Sequence, residues 1–219
     1  VPFRVAYVPG VSPVKWVRIW NDRSDEPLEL VAVEDGDAAA SVLEDRADAC
    51  FARLPLDDER LSVIPLWEET PVVVAPKDHP IAVVDAVTLA ELADETILDG
   101  QDAGTLDLVA AGVGVAIMPQ SIFRAASRRE LRGKPVTDAE PTRVALAWAT
   151  ERTSEHVEEF IGIVRGRTPN SSRGKTEPDP SPQPKPKPKQ ARPAQSGRGA
   201  RAGRPAAPRK GGPKRKGRR

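Results

Sequence analysis

Reactive side chains are scarce in this sequence of 219 residues, which holds one cysteine, two histidines, one tyrosine and one methionine. The single cysteine, Cys50, forms no internal disulfide. Its place in the alternating run Asp48-Ala49-Cys50-Phe51-Ala52-Arg53-Leu54 marks it as a buried structural thiol rather than a nucleophile. His79 and His156 stand far apart and fit no metal-ligand spacing, so no metal site is expected. No Gly-x-Ser-x-Gly elbow occurs. Gly174-Lys175-Thr176 imitates the end of a phosphate loop, but the glycine required five positions earlier is Pro169, and no strand precedes it. Gly112-Val113-Gly114 lacks the third glycine of a dinucleotide fingerprint and reads as a turn or close-packing element. Asp57-Asp58-Glu59 and Glu158-Glu159 read as solvated faces in so acidic a region. These absences predict no catalytic residues, no cofactor and no enzymatic activity.

Long apolar runs are missing too. No stretch approaches the roughly 18 residues that cross a bilayer. The N-terminus opens on a strand pattern rather than a basic and apolar leader. The expectation is a cytoplasmic protein without a membrane partner.

What is abundant is charge, and it is unevenly placed. Residues 1–170 hold 17 Lys and Arg against 30 Asp and Glu, a net of −13, while residues 171–219 hold 16 against 2, a net of +14. The whole-chain value of +1 therefore describes neither part. Such asymmetry predicts an acidic folded domain and a basic tail that seeks nucleic acid or a charged surface.

The acidic part alternates strand and helix patterns. Phe3 to Val8 reads as a strand broken at Pro9-Gly10; Ser12 before Pro13 reads as a helix cap, opening a helix with Val14, Trp16, Val17, Ile19 and Trp20 near one face. Leu28–Glu34 is a second strand, followed by a helix through Ala38, Val42 and Leu43, then a third strand through Cys50. That β-α-β-α-β order predicts a parallel sheet covered by helices. Strands follow at Leu61–Leu66 and Thr70–Ala75, joined by Trp67-Glu68-Glu69. Thr88-Leu89-Ala90-Glu91 is a capping box. Thr96–Leu98, Val113–Met118 and Thr142–Ala149 read as strands, with helices from about Thr105 to Gly112 and from Pro119 to about Leu131. The last helix is capped by Thr153 or Ser154 and places Val157, Phe160, Ile161 and Val164 on one stripe.

In this order several segments acquire a family likeness. They are Val5-Ala6-Tyr7-Val8-Pro9-Gly10, Ala47 to Pro55, Ile64-Pro65-Leu66-Trp67-Glu68-Glu69-Thr70-Pro71-Val72-Val73-Val74, Lys77-Asp78-His79-Pro80-Ile81-Ala82, and Leu108 to Pro119 with its Ala-Gly-x-Gly-x-x-x-x-Pro element. Over 1–168 the chain resembles the effector-binding (substrate-binding) domain of LysR-type transcriptional regulators, in a short actinobacterial form. The resemblance implies an α/β, two-lobed domain of the type 2 periplasmic-binding-protein fold. Lobe I would take about 1–68 and 153–168, and lobe II about 69–152, with Glu69–Ala75 as one crossing strand. It further implies a small-molecule effector, an acidic metabolite if Arg53 pairs with it, bound between the lobes by Gly10, Val11, Ser12, Arg53, Leu54, Thr70 and Asp99. Arg53 reads equally well as a bridge between surface carboxylates. The resemblance also implies a homodimer, or a heterodimer with full-length regulators. The family's winged helix-turn-helix and linker helix are not within these residues. Only about 10 residues separate Leu98 from Val109, where the family spends several tens, so a shortened lobe II is expected.

Residues 169–219 form the tail, rich in Pro, Gly, Lys and Arg, with no apolar face to offset the entropy of ordering; disorder is expected. Nucleic-acid contact is expected at Lys185, Lys187, Lys189, Arg198, Arg201, Arg204, Arg209, Lys210, Lys214, Arg215, Lys216, Arg218 and Arg219. Such contact is sequence-independent and salt-sensitive, and it makes nucleoid association an expectation. The leading reading is a non-enzymatic, effector-sensing protein of transcription regulation. A transporter's solute-binding protein is the alternative, as is a structural remnant acting only through its tail.

Overall fold

A computed structural model describes residues 1–167. The expectations for the tail and its basic residues lie outside the described residues.

Strand β1 (Phe3–Tyr7) pairs in parallel with β2 (Leu28–Ala32) and with β3 (Ala49–Arg53). Helix α1 (Val14–Asn21) and helix α2 (Ala38–Leu43) make the two crossovers, so the expected β-α-β-α-β unit is present. The sheet then gains antiparallel members. β4 (Leu61–Glu69) and β9 (Thr142–Ala149) complete the order β2-β1-β3-β9-β4. A second, four-stranded sheet has the order β6-β7-β5-β8, from β5 (Pro71–Pro76), β6 (Ile97–Leu98), β7 (Val115–Pro119) and β8 (Leu131–Pro135). The chain passes from the first sheet to the second at Thr70 and returns between β8 and β9. Two crossings and two sheets make two lobes.

The first lobe closes on aromatic rings. Phe3 stacks on Trp20 at 4.7 Å, and Trp16 on Phe51 at 4.6 Å. Phe160, from helix α5 (Glu155–Val164), meets Phe3, Trp20 and Phe51 within 6.0 Å. Buried aromatics of this kind carry both large apolar area and a preferred geometry. The Trp20 indole N–H still finds a partner, donating to the Glu26 carbonyl at 2.7 Å. The second lobe is aliphatic and has a core on each face of β5. Val72 and Val74 pack with Leu106, Val109, Met118 and Ile122, while Val73 and Ala75 pack with Ile81, Leu92 and Val115. Covering both faces explains why β5 reads as an unbroken apolar run rather than an alternation.

Several boundaries depart from expectation. Helix α1 is capped by Pro13 without a side-chain bond, leaving Ser12 exposed and Val14 65% exposed. The ring of Pro13 sets the helical entry, and its carbonyl accepts from Trp16 and Val17, so no hydroxyl is needed. Helix α3 (Ala103–Ala110) begins two residues before Thr105, because the Asp102 carboxylate accepts from the Thr105 N–H at 2.7 Å. Trp67-Glu68-Glu69 is no joint but the end of β4, which continues past a bulge between Pro65 and Trp67. Thr70 interrupts what was expected as one crossing strand. Helix α4 (Gln120–Ala126) stops at Ser127, which has φ +50, and the expected helix to Leu131 gives way to β8. As an edge strand of Leu-Arg-Gly-Lys-Pro, β8 lacks a strand's apolar alternation. β9 pairs with β3 and β4 in the first sheet, whereas a lobe boundary at about 152 would assign it to the second. The Thr88–Glu91 capping box and the Ser154 cap of α5 form as expected. A Cβ at Gly114 would overlap the Thr96 carbonyl, the close-packing role read for it.

Cys50 is fully buried in β3, and desolvation pushes its thiol up from 9.0 to about 12. At pH 8 its thiolate fraction is then about a thousandfold below that of a free thiol. We expect no reaction with a disulfide reagent in the native protein and one equivalent after denaturation, read by absorbance. Because the folded value lies above the unfolded one, this group's stabilising contribution is whole below pH 9 and is lost as pH rises toward 12.

Candidate functional site

Where the first strands of such a sheet end, their loops face the second lobe. The loop after β1 carries Gly10 at φ +80, a backbone conformation suited to glycine. Its hydrogen side abuts α4: a Cβ there would lie 2.7 Å from the Ile122 nitrogen and 2.8 Å from the Ser121 hydroxyl. The lobes therefore touch at Gly10 without room for a methyl group.

Beside this contact sits a charge network. The Arg53 side chain, 8% exposed, donates from Nε to Glu69 Oε2 at 2.8 Å and from Nη1 to both Asp35 oxygens at 3.1 Å. Its Nη2 donates to the Pro9 carbonyl at 2.8 Å and the Ser121 hydroxyl at 3.2 Å. The Glu69 side chain is 4% exposed and also accepts from the Ser121 hydroxyl. Burying a carboxylate requires such compensation. Of the two readings open for Arg53, the structure displays the bridging one, with a buried rather than a surface carboxylate at its centre. The network also joins the lobes, since Ser121 belongs to α4 of the second and Arg53 to β3 of the first.

Two cavities flank this bridge. The larger, about 540 Å³, has Pro9, Gly10, Glu34 and Asp35 on the first-lobe side. Its second-lobe wall is Leu106, Ile122, Ala125 and Ala126, with Gln101, Asp102 and Arg128 as polar members. The smaller, about 460 Å³, lies along Trp67–Thr70 and against Gln120, Ser121, Arg124 and Ala125. Asp102 is held below the usual carboxylate range by hydrogen bonds from the Thr105 N–H and hydroxyl. Arg128 is raised by its bond to Asp107 at 2.6 Å, and it also meets Glu130 at 3.4 Å.

The residues singled out in sequence are scattered across this geometry. Gly10 lines both cavities and Thr70 the smaller one. Val11 is buried in the first-lobe core. Ser12 and Asp99 are exposed and line neither cavity. Leu54 is half-buried, its N–H donating to the Arg143 carbonyl at 2.9 Å. Arg53 is engaged as described. Sequence reasoning missed Glu69, Asp35, Asp102, Ser121 and Arg128. The Asp102-x-x-Thr105 spacing is itself a cap signal; nothing local marks the others.

Two lobes joined by two crossings, with a cavity between them, are the architecture of the type 2 periplasmic-binding-protein fold. Residues 24–104 match the family model for the LysR substrate binding domain. The transcriptional regulator BudR of Raoultella terrigena (HTH-type) is 26% identical over 146 residues, covering 52% of this chain and 50% of that protein. The chain thus spans about half the length of this curated relative. Among solved structures, the BenM effector binding domain with its effector benzoate superposes with TM-score 0.64 at 20% identity, over 75% of this chain and 90% of that one. The effector binding domain of QuiR with shikimate gives 0.65 at 14%, over 75% and 95%. H2O2-bound Corynebacterium glutamicum OxyR gives 0.62 at 21%, over 75% and 66%. In sequence over 24–104, and in fold across the described residues, the chain resembles the effector-binding domain of LysR-type regulators.

Proposed function

We propose that this is a non-enzymatic protein of transcription regulation that senses a small metabolite between its lobes. The observation that carries the reading is the cavity of about 540 Å³ lined from both lobes. Its size falls in the usual range of small-molecule sites, ~300–1,000 Å³, and its place at a two-crossing hinge couples occupancy to lobe closure. The benzoate and shikimate held by BenM and QuiR are molecules of a size such a cavity accommodates. The acidic effector expected from Arg53 meets a guanidinium already engaged by Glu69 and Asp35.

The basic segment 169–219 supplies sequence-independent contact with nucleic acid, and the domain pairs with itself or with full-length regulators. Both features fit a cytoplasmic, nucleoid-associated protein. No helix of the described residues is long and apolar enough to cross a membrane.

The sensor reading is tested by differential scanning fluorimetry of the full chain against a metabolite panel. A ligand at 100 times its Kd stabilises by about 2.7 kcal/mol, a shift of several degrees. A panel of cations, neutral compounds and anions that leaves the melting temperature unmoved would remove the sensor and leave a module acting through its tail.

A further inference from the structure

The charge of the ligand follows from which groups around the larger cavity are free. Its second-lobe wall is apolar, with Leu106, Ile122, Ala125 and Ala126. Three carboxylates line it, Glu34 and Asp35 from the first lobe and Asp102 from the second, against one guanidinium, Arg128. That guanidinium is engaged by Asp107 and Glu130. The neighbouring Arg53 is engaged by Glu69 and Asp35. Among the described residues, no cation lining this cavity is left for an anion; Arg124, which makes no ion pair, lines the smaller cavity instead. Glu34 and Asp102, by contrast, are exposed and make no ion pair among the described residues; the Asp102 carboxylate accepts from Thr105 and from the backbone N–H of Gly104 at the start of its own helix. Carboxylates thus reach one cavity from both lobes without a counter-ion. Like charges brought together across a closing cleft repel, and a cation between them reverses the sign of that interaction.

We propose that the interlobe cavity takes an organic cation, a primary amine or ammonium on a compact apolar body, with the charge between Glu34 and Asp102 and the body against Leu106, Ile122 and Ala126. A bare metal ion does not suit it, because no three metal-ligating side chains converge among the described residues. The inference rests on the sensor reading and gives it a ligand class. It departs from the acidic effector expected from sequence, since the carboxylate that would have met Arg53 is already present as Glu69.

The test is an isosteric trio, phenethylamine, phenethyl alcohol and phenylacetate, titrated into the full chain by calorimetry and scanning fluorimetry at low and high salt. The amine is expected to bind most tightly and to weaken as salt rises, the alcohol to bind less well, and phenylacetate to give no response. Asp102→Asn keeps the helix cap, for asparagine caps as well as aspartate. It and Glu34→Gln should each weaken the amine by about three- to tenfold, the effect of one partly exposed charge. Glu29→Gln, on an exposed position of β2 outside the cavity, should change nothing. Amine binding that is indifferent to Glu34→Gln and Asp102→Asn would overturn the proposal by making it general attraction to an acidic surface. Binding of phenylacetate at least as tight as the amine would overturn the charge class while leaving the sensor intact. Failure of the trio, with some other metabolite in a broad panel binding, would likewise sink only this inference; failure of every compound sinks the sensor with it.

Discussion

Replacing Arg53 with alanine should lower the free energy of unfolding by about 3–5 kcal/mol, the usual cost of leaving one partner of a buried ion pair uncompensated. The partner left behind is Glu69, whose side chain is 4% exposed and whose other bond comes from the Ser121 hydroxyl. Asp35 loses the same guanidinium but is 42% exposed and regains water. Urea denaturation of Arg53→Ala and Glu69→Ala, together with the double variant Arg53→Met/Glu69→Leu, separates the terms. The apolar pair should recover most of the loss, because similar-volume hydrophobic replacements of buried pairs are near neutral. Non-additivity above about 1 kcal/mol is expected for groups in direct contact. A loss below about 1 kcal/mol in Arg53→Ala would show that water reaches Glu69 freely and that the bridge contributes little. Because Ser121 bonds to both partners, the same variants should also loosen the closure of the lobes, read as faster amide exchange in β5 and α4.

Removing residues 168–219 should abolish retention on DNA. The remaining 167 residues carry 17 basic against 30 acidic side chains and repel a polyanion. Sixteen basic residues lie beyond position 170. If six to ten of them neutralise phosphates, affinity of the full chain falls by about 10³–10⁵ between 50 and 200 mM salt. Fluorescence anisotropy with two duplexes of unrelated sequence measures this, and the two should bind alike. Serine at Lys185, Lys187 and Lys189 should lower the slope of log affinity against log salt by about 0.9 per charge removed. Unchanged binding after truncation would place the nucleic-acid surface on the domain instead.

The first three strands and the last helix were readable because their signals are local. Phe3 to Val8, and Ala49 to Leu54 around Cys50, alternate or run apolar between turn residues, and Val157, Phe160, Ile161 and Val164 repeat at helical spacing. β8 was not readable: its Arg132, Gly133, Lys134 and Pro135 suit an edge strand through position, not propensity. Gly133 is required because the Phe123 ring lies where a Cβ would be, 2.7 Å away, and that demand comes from another element. The cap of α1 failed for a different reason: Ser12-Pro13 is a valid cap motif, and only the path of the chain decides whether serine or proline takes that place.

The candidate site shows the same division more sharply. Gly10 was identifiable because a glycine after the first strand is a local event. The pairing of Arg53 with Glu69, 16 residues apart, and of both with Ser121, 52 residues beyond Glu69, is set by the two chain crossings. By itself the sequence determined the charge division between domain and tail, the scarcity of catalytic side chains, the β-α-β-α-β start and the family likeness. Each of these is composition or short-range pattern. Only the tertiary structure decided that Arg53 is already paired, that β9 belongs to the first sheet, and that carboxylates from two lobes line one cavity. Those outcomes depend on which distant residues are brought within a few ångströms, and electrostatic interaction is governed by that distance and by burial rather than by position along the chain.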